Sequence, residues 1–347
     1  PGRSLQLHGS PHPSLPTGIE ALRIVIRTPN WLGDLVMATP FIRVVLEQFP
    51  EAQVDLIVRK GLETLPLPLR GEIKVFDRKT DSPHQFGRRL RSAAYDRFYV
   101  LPPSFSSAWM AWNSGVRERI GYPGEGRRLL LTHPIRRRHP LRTQHLVSEY
   151  LDLLEQDLAL EHHPPRITPE TAWVDQQLSR ISPQLPERYT VLAPAAEYGP
   201  AKQWPMEHYR NLAQELDLPV IVTGLAQDRA LGEQIGANLP HVRNLCGQSN
   251  LAELTAMLHR ADLLVCNDSG AMHLGAALGT PTLGLFGSSS PAWTRPIGPQ
   301  ALHLSLEVEC SPCFERTCRF GHYNCLQNLT PEEVHATTCE VRSFHEK

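Results

Sequence analysis

The sequence has no apolar run that is suited to crossing a membrane. Residues Ser269 to Thr294 include no Asp, Glu, Lys or Arg, but five glycines and two prolines interrupt them. A membrane-spanning helix needs about 20 consecutive, predominantly apolar residues. This stretch therefore predicts a buried helix followed by a buried strand, not a bilayer helix.

The chain also lacks an excess of charge of one sign, since its formal net charge is −1. Residues 1–180 contain 24 Lys and Arg against 19 Asp and Glu, and the remaining residues contain 11 against 17. The most basic stretch is 81–142, with 12 arginines and four acidic residues. Such a stretch is either a solvated face or a surface that binds anions, such as phosphorylated lipid headgroups.

Five arginines of this stretch are candidates for an anion-binding surface: Arg127, Arg128, Arg136, Arg137 and Arg138. Aromatic side chains do not alternate with the basic ones here, as they do where bases stack on a protein. Nucleic acid is therefore not an expected partner.

Several common catalytic motifs are absent. No G-x-G-x-x-G follows a first strand and no G-x-x-x-x-G-K-[ST] occurs, which disfavours a nicotinamide dehydrogenase and a P-loop NTPase. The chain also lacks H-E-x-x-H and G-x-S-x-G, so a zinc protease and an α/β-hydrolase are not indicated.

The first twenty residues are rich in Pro, Ser and Gly and have no apolar core, so we interpret 1–20 as a flexible tail and not as a signal peptide. Without an export signal, the seven cysteines are expected to lie in a reducing cytoplasm.

What the sequence does contain is a regular alternation of short apolar strands and helical patterns. "LRIVIR" and "VDLIV" in the first half are matched by "YTVLAP", "VIVTG" and "DLLVCN" in the second. Continuous apolar strands separated by helices are typical of a parallel sheet covered on both faces. We predict an α/β protein with two Rossmann-like, doubly wound domains, at 21–170 and 171–325, and a ligand cleft between them.

The most informative stretch is "NDSGAMHLGAALGTP", which begins where a strand ends at Asn267. Free N–H groups at a helix start, with a glycine that permits close approach, can bind a diphosphate. The residues predicted to hold it are Asp268, Ser269, Gly270 and His273. The alternative is that the aspartate caps the helix and the histidine is structural.

"PAAEYGPAKQWP" leaves the first strand of the same domain and places Glu197 and Lys202 at the same crevice. The lysine is suited to phosphate oxygens, although alone it would be read as a surface residue. Asp228 could bind ribose hydroxyls or cap a helix.

In the first domain, "TPNWLGDLVMATP" places Asp34 at the start of a helix. A helix N-terminus stabilises an ionised carboxylate, which can accept a proton from an attacking hydroxyl with modest basicity. The alternative is an ordinary acidic residue in the first turn.

Four cysteines follow one another at short spacing: Cys310, Cys313, Cys318 and Cys325. The spacing allows a structural metal site, free thiols or a local disulfide, and we expect no metal there.

Together, "NWLGDLVMATP", "AEYGPAKQWP" and "NDSGAMHLGAALGTP" resemble glycosyltransferase family 9, the lipopolysaccharide heptosyltransferases, from about Leu22 to the C-terminus. The cysteine segment 310–334, and Glu197 five residues before Lys202, resemble branch II of that family.

The resemblance implies a GT-B fold whose C-terminal segment, 326–347, packs back toward the first domain. It implies inverting, metal-independent transfer of L-glycero-D-manno-heptose from ADP-heptose to the first heptose of Kdo–lipid A, without a cofactor. It also implies that the protein lies in the cytoplasm, in peripheral contact with the inner membrane. Asp34 would be the general base, and Lys202, Asp268, Ser269, Gly270 and His273 would hold the nucleotide-sugar, with Asp228 as a less secure ribose contact.

Three alternatives remain open at this point. The chain could be a branch I heptosyltransferase, or another family 9 enzyme that uses a different nucleotide-sugar. From a different class, it could be a non-catalytic module that binds nucleotide-sugars.

Overall fold

The computed structural model describes residues 21–181 and 185–343. The predicted tail at 1–20 and the last four residues of the chain lie outside the described residues. The described chain forms two parallel sheets of six strands each, with helices on both faces. The α/β fold class is therefore confirmed.

The first sheet has the strand order β3-β2-β1-β4-β5-β6, and every neighbouring pair is parallel. Strand β1 is central because its residues Val25 and Ile26 are fully buried on both faces. The elements of this half are β1 Arg23–Arg27, α1 Leu32–Met37, α2 Thr39–Gln48, β2 Gln53–Arg59, β3 Ile73–Phe76, α3 Pro83–Arg89, β4 Arg97–Val100, α4 Phe105–Asn113, β5 Glu118–Gly121, β6 His133–Pro134 and α5 Leu146–Leu151.

The second sheet repeats the design with the order β12-β11-β10-β7-β8-β9. Its chain reverses direction of winding between β7 and β10, which is where open α/β sheets bind ligands. The elements are α6 Thr171–Leu178, β7 Thr190–Ala193, α7 Met206–Glu215, β8 Val220–Val222, α8 Arg229–Gly236, β9 Val242–Asn244, α9 Leu251–Arg260, β10 Leu263–Asn267, α10 Gly270–Leu278, β11 Thr282–Phe286, α11 Pro291–Thr294, β12 Ala301–Ser305, α12 Asn324–Gln327 and α13 Pro331–Ser343.

The C-terminal helix α13 packs on the second domain. Val334 and Val341 are fully buried in the same apolar cluster as Tyr209 of α7 and Leu285 of β11. The prediction that 326–347 packs back toward the first domain is therefore wrong for the described residues up to 343. The physical reason is that the apolar side chains of this helix find an uncovered apolar face of their own sheet beside α7.

The two domains touch most closely where the N-termini of α1 and α10 meet. A Cβ atom built on Gly33 would lie 2.7 Å from Cδ2 of His273, and one on Gly270 would lie 2.9 Å from Cβ of Leu32. Real Cβ atoms do not approach other atoms so closely, so both positions need glycine. The two helix starts therefore share one crevice.

Further contacts hold the domains in this arrangement. Nε2 of His145 lies 3.0 Å from the carbonyl oxygen of Arg295, and Trp293 donates its indole N–H to Glu149 over 3.1 Å. The backbone N–H of Ile167 also donates to the carbonyl of Ala277. No helix in the described part of the chain combines the length and the apolar character that a bilayer span requires.

Candidate functional site

Asp34 lies in the first turn of α1, at the crevice between the domains. It is not the N-cap, a position that Trp31 occupies without a side-chain cap. Burial raises the pKa of Asp34 to about 6, an effect that Lys202 opposes and Asp268 reinforces. The prediction of a modestly basic, helix-stabilised carboxylate is thus wrong, because the loss of water outweighs the helix N-terminus.

Asp268 is the centre of the opposite wall. Its Oδ2 accepts from Nζ of Lys202 at 2.5 Å and from Oγ of Ser289 at 2.5 Å, and Oγ1 of Thr294 lies 3.5 Å away. The side chain is almost wholly buried and does not cap α10, whose N-cap is Ser269. The capping alternative is therefore excluded. This aspartate holds Lys202 at the carboxyl end of β7, where its positive charge faces the crevice.

His273 lies one turn into α10, with Nε2 3.9 Å from Oδ1 of Asp268. Burial lowers its pKa to about 4, although Asp268 acts in the opposite direction. The imidazole is therefore neutral near pH 7, and it offers one N–H donor and one acceptor to the crevice.

The start of α10 carries an unused hydroxyl. Oγ of Ser269 is buried and has no hydrogen-bond partner within the described residues. A buried hydroxyl without a partner costs about 1–3 kcal/mol, which a ligand oxygen would recover. Together with the free N–H groups after Gly270, this serine fits an anionic group at the helix start.

The two other residues predicted for the nucleotide-sugar site, Glu197 and Asp228, differ in their surroundings. Glu197 is exposed on the loop after β7. Oδ2 of Asp228 accepts the backbone N–H of Leu225 at 2.8 Å, at the carboxyl end of β8. Asp228 therefore caps the 3-10 helix Ala226–Asp228 and not α8, and its contact with a ribose stays a prediction.

The predicted arginine surface requires a correction. Arg127 is fully buried and donates to the carbonyls of Tyr122 at 2.7 Å and Pro102 at 2.6 Å. Arg137 pairs with Glu149 at 2.6 Å, and Arg138 lies 3.5 Å from Asp152. These three arginines hold loops together because carbonyls and carboxylates surround them. Arg128 and Arg136 are exposed, and no ion pair to either is present among residues 21–181 and 185–343.

A different group of arginines lies at the carboxyl edge of the first sheet. Arg27 ends β1, Arg59 ends β2 and Arg78 follows β3 by two residues. Burial, together with the positive charges of Arg78 and Arg59, lowers the pKa of Arg27 to about 10. Within the described chain no carboxylate is paired with any of the three, so this edge of the sheet carries uncompensated positive charge.

The residue Trp31 stands beside this arginine group. Its ring is half exposed, and the guanidinium carbon of Arg59 lies 5.7 Å from the ring centroid. Asn30 joins the group, since Arg59 donates to its carbonyl at 3.1 Å and Arg27 to its Oδ1 at 2.5 Å. The sequence signal for these residues was an arginine at or just after the end of three successive strands.

Tyr150 and Tyr198 were also missed. Tyr150 of α5 is buried, and the charge of Asp34 lies close enough to contribute to the rise of its pKa. The ring of Tyr198 lies 4.9 Å from Nζ of Lys202, and its hydroxyl donates to the carbonyl of Phe314. Nothing in their local sequence distinguishes them from core aromatics.

The four cysteines at 310–325 line one cavity of about 20 Å³ beside Ser288. All are free thiols, so the local disulfide is not formed. Backbone N–H groups of residues 320–323 lower the pKa of Cys318, and burial and the other three cysteines raise that of Cys325. In the described chain, no three His, Cys, Asp or Glu side chains are placed to hold a metal ion.

Comparison with known proteins places this chain in a family. Residues 83–324 match the model of "Glycosyltransferase family 9 (heptosyltransferase)". The chain is 29% identical over 340 residues to lipopolysaccharide heptosyltransferase 2 of Escherichia coli K12, and 30% identical over 342 residues to lipooligosaccharide heptosyltransferase 2 of Haemophilus influenzae. Each match covers 90% of this chain and 96% of the relative.

The fold agrees with solved structures. The structure of E. coli ADP-heptose lps heptosyltransferase II superposes with a TM-score of 0.81 at 27% identity, covering 94% of this chain and all of that one. A glycosyltransferase family 9 structure from Veillonella parvula superposes with a TM-score of 0.78 at 23% identity, covering 94% of this chain and 98% of that one. The predicted GT-B architecture is thereby confirmed, and the chain belongs to glycosyltransferase family 9, the heptosyltransferases.

Proposed function

We propose that the protein transfers L-glycero-D-manno-heptose from ADP-heptose to the first heptose of the Kdo–lipid A inner core. The relatives named heptosyltransferase 2 support ADP-heptose as the sugar donor and the second heptose addition as the reaction. One observation supports the chemistry: the charges of Lys202 and Asp268 in the second domain act on the carboxyl group of Asp34 in the first domain, across a single crevice.

In the proposed reaction, Asp34 accepts the proton of the acceptor hydroxyl as its oxygen attacks the anomeric carbon. The bond from that carbon to the diphosphate oxygen breaks, and ADP leaves with the electron pair. Attack and departure on opposite faces of the sugar invert the anomeric centre. A carboxylate with a pKa near 6 is ionised at pH 7 and yet basic enough for this role.

The second domain receives the negative charge of the leaving ADP. Lys202, the hydroxyl of Ser269 and the free N–H groups at the start of α10 all border the crevice. Positive potential that is already in place stabilises the departing diphosphate without reorganisation. We assign Glu197 and Asp228 to the outer part of this donor site, near the ribose, and propose that no metal is needed.

The first domain would bind the acceptor through its arginine group. Kdo and phosphate are anionic, and Arg27, Arg59 and Arg78 have no carboxylate partners in the described chain. Trp31 offers an exposed ring for a sugar face. This group takes the acceptor role first predicted for the arginines at 127–138. Of those arginines, Arg128 and Arg136 are exposed, and we propose that they contact the cytoplasmic leaflet of the inner membrane.

The function is tested by measuring ADP release from ADP-heptose with two acceptors, Kdo–lipid A with and without its first heptose. We expect turnover on the heptosylated acceptor, and Asp34→Ala should abolish it while ADP-heptose affinity is retained. Turnover on the non-heptosylated acceptor alone would reassign the protein to the first addition. If neither acceptor supports turnover and ADP-heptose still binds, the chain is a binding module.

A further inference from the structure

The outer face of α4 carries a strip of aromatic side chains. Phe105, Trp109 and Trp112 follow one another at i, i+4 and i+7, so they lie on one side of the helix. Their rings stack, with centroids 6.2 Å apart for the first pair and 5.0 Å for the second. Phe105 is 45% exposed and Trp112 is 46% exposed. The strip therefore adds little to the core on which the helix rests.

A neighbouring segment extends this apolar surface. Leu129, in the 3-10 helix Arg127–Leu130 that packs against α4, is 89% exposed. The buried Arg127 donates to the carbonyls of Tyr122, Pro102 and Ser104, which tie this 3-10 helix to the loop just before α4. We call Phe105, Trp109, Trp112 and Leu129 the α4 patch. It is a fixed feature and not a loose loop.

Positive charge accompanies the α4 patch. Arg128 is next to Leu129, Arg88 lies in the last turn of α3, which packs against α4, and Arg117 follows α4 by four residues. All three are exposed, and none has an ion-pair partner in the described part of the chain. Among the described residues, one acidic side chain is hydrogen-bonded to the strip: Glu125 accepts the backbone N–H of Phe105.

We propose that the α4 patch docks the protein on an anionic lipid bilayer, with tryptophan and phenylalanine in the headgroup region and the arginines against acidic lipids. Indole rings are enriched at membrane interfaces, and arginines are attracted to anionic leaflets. The patch begins where β4 ends, at the sheet edge that also forms the crevice. A protein docked in this way would keep its crevice near lipid-anchored substrate.

Charge favours a bilayer over a second copy of the chain as the occupant of this face. A symmetric dimer through the α4 patch would bring two sets of unpaired arginines into one interface, where like charges repel. An anionic leaflet instead offers counter-charge to every arginine. The inference rests on the proposed function only for its purpose, because vesicle binding is measurable without any turnover.

The test is co-sedimentation of the full chain with vesicles of neutral phosphatidylcholine, with and without 30% phosphatidylglycerol, a composition chosen at about the anionic content that attracts basic surfaces. We expect binding to the anionic vesicles. The variant Phe105→Ser/Trp112→Ser/Leu129→Ser should bind about tenfold more weakly or worse, since interfacial binding scales with buried apolar area. Arg88→Gln/Arg117→Gln should weaken binding about fivefold per arginine and flatten its salt dependence.

Two controls make the result specific. Leu225→Ser/Phe320→Ser removes exposed apolar side chains from the second domain and should bind like the parent chain. Trp112→Phe should keep vesicle binding but lose part of the quenching of tryptophan fluorescence by brominated lipids. ADP release on a delipidated, soluble acceptor should stay unchanged in all these variants, which separates this proposal from the proposed function.

Three outcomes would overturn the proposal. The first is equal vesicle binding by the parent chain and the triple variant. The second is no binding of the parent chain to anionic vesicles. The third is a change of oligomeric state in the triple variant, measured by sedimentation velocity, without a change in vesicle binding, which would assign the patch to a protein interface.

Discussion

Gly33 of the first domain and His273 of the second approach each other so closely that a single added methyl group would lie 2.7 Å from the imidazole Cδ2. This contact sets the distance between the two helix starts, and with it the width of the crevice between Asp34 and Asp268. Because Gly33 has no side chain, the two domains can approach closely enough for groups from both to face one crevice.

We predict that Gly33→Ala will reduce turnover by more than tenfold, while the chain still folds and its unfolding temperature falls only slightly. The added Cβ must push α1 and α10 apart, and overpacking of this kind costs about 1–3 kcal/mol. ADP release and thermal unfolding should be measured together. Gly236→Ala is the matched control, because its Cβ would meet Val242 at an ordinary 3.4 Å, and it should leave turnover unchanged.

The pH dependence of kcat/KM should show an acidic limb near pH 6. The pKa of Asp34 is raised to about 6, so the base is protonated and inactive below that pH and ionised above it. Because Lys202 lowers this pKa, Lys202→Met should move the limb to higher pH as well as reduce the rate. A limb that remains at the same pH in this variant would contradict the assignment of Asp34 as the titrating base.

Asp34→Asn should raise the free energy of unfolding at pH 7–8. A carboxyl whose pKa is raised by folding contributes stability fully below its unfolded pKa of 3.8 and loses that contribution as pH rises through about 6. The asparagine variant should therefore gain about 3 kcal/mol over the parent chain at neutral pH. Urea unfolding at pH 4 and pH 7.5 tests this, since the gain should shrink strongly at the lower pH.

Lys202 and Asp268 should behave as a coupled pair. Lys202→Met leaves a buried carboxylate without its cation, which costs about 3–5 kcal/mol. Lys202→Met/Asp268→Asn should recover much of that stability but not the affinity for ADP, because the positive charge is still missing. Calorimetric titration with ADP and urea unfolding of both variants would distinguish a structural pair from a ligand-binding one.

Arg59→Gln should weaken binding of the acceptor and leave binding of ADP-heptose unchanged. Removing one cation from the uncompensated arginine group weakens its binding of an anionic acceptor by about 1.4 kcal/mol or more, which raises KM roughly tenfold or more. The dissociation constant for ADP-heptose should not change. Arg229→Gln, in an exposed pair with Glu233 on the second domain, is the control and should alter neither value.

The architecture could be predicted because it depends on local patterns. Strands such as "RIVIR" and "LLVCN" are apolar on both faces, which only a sheet covered on both sides accommodates. The helix start after Asn267 could also be placed, because a strand end followed by Ser-Gly has few other solutions. The proximity of Lys202, Asp268 and His273 followed from the topology of parallel sheets, because the carboxyl ends of neighbouring strands meet at one edge.

Other features depended on neighbours that are remote in the chain. Arg127 and Arg128 are adjacent and chemically identical, yet one is buried among carbonyls and the other is exposed. The raised pKa of Asp34 depends on its burial in the folded chain, which its position in the helix does not predict. Likewise, α13 covers its own sheet because an apolar face was left open there.

The amino-acid sequence by itself determined the periodicities that make two parallel sheets, and the chemical groups that follow each strand. Only the tertiary structure decided which of these groups lose their water and which meet an opposite charge. The physical reason is that periodicity is a property of a few successive residues, whereas desolvation and Coulomb interactions act between atoms that folding brings within a few ångströms.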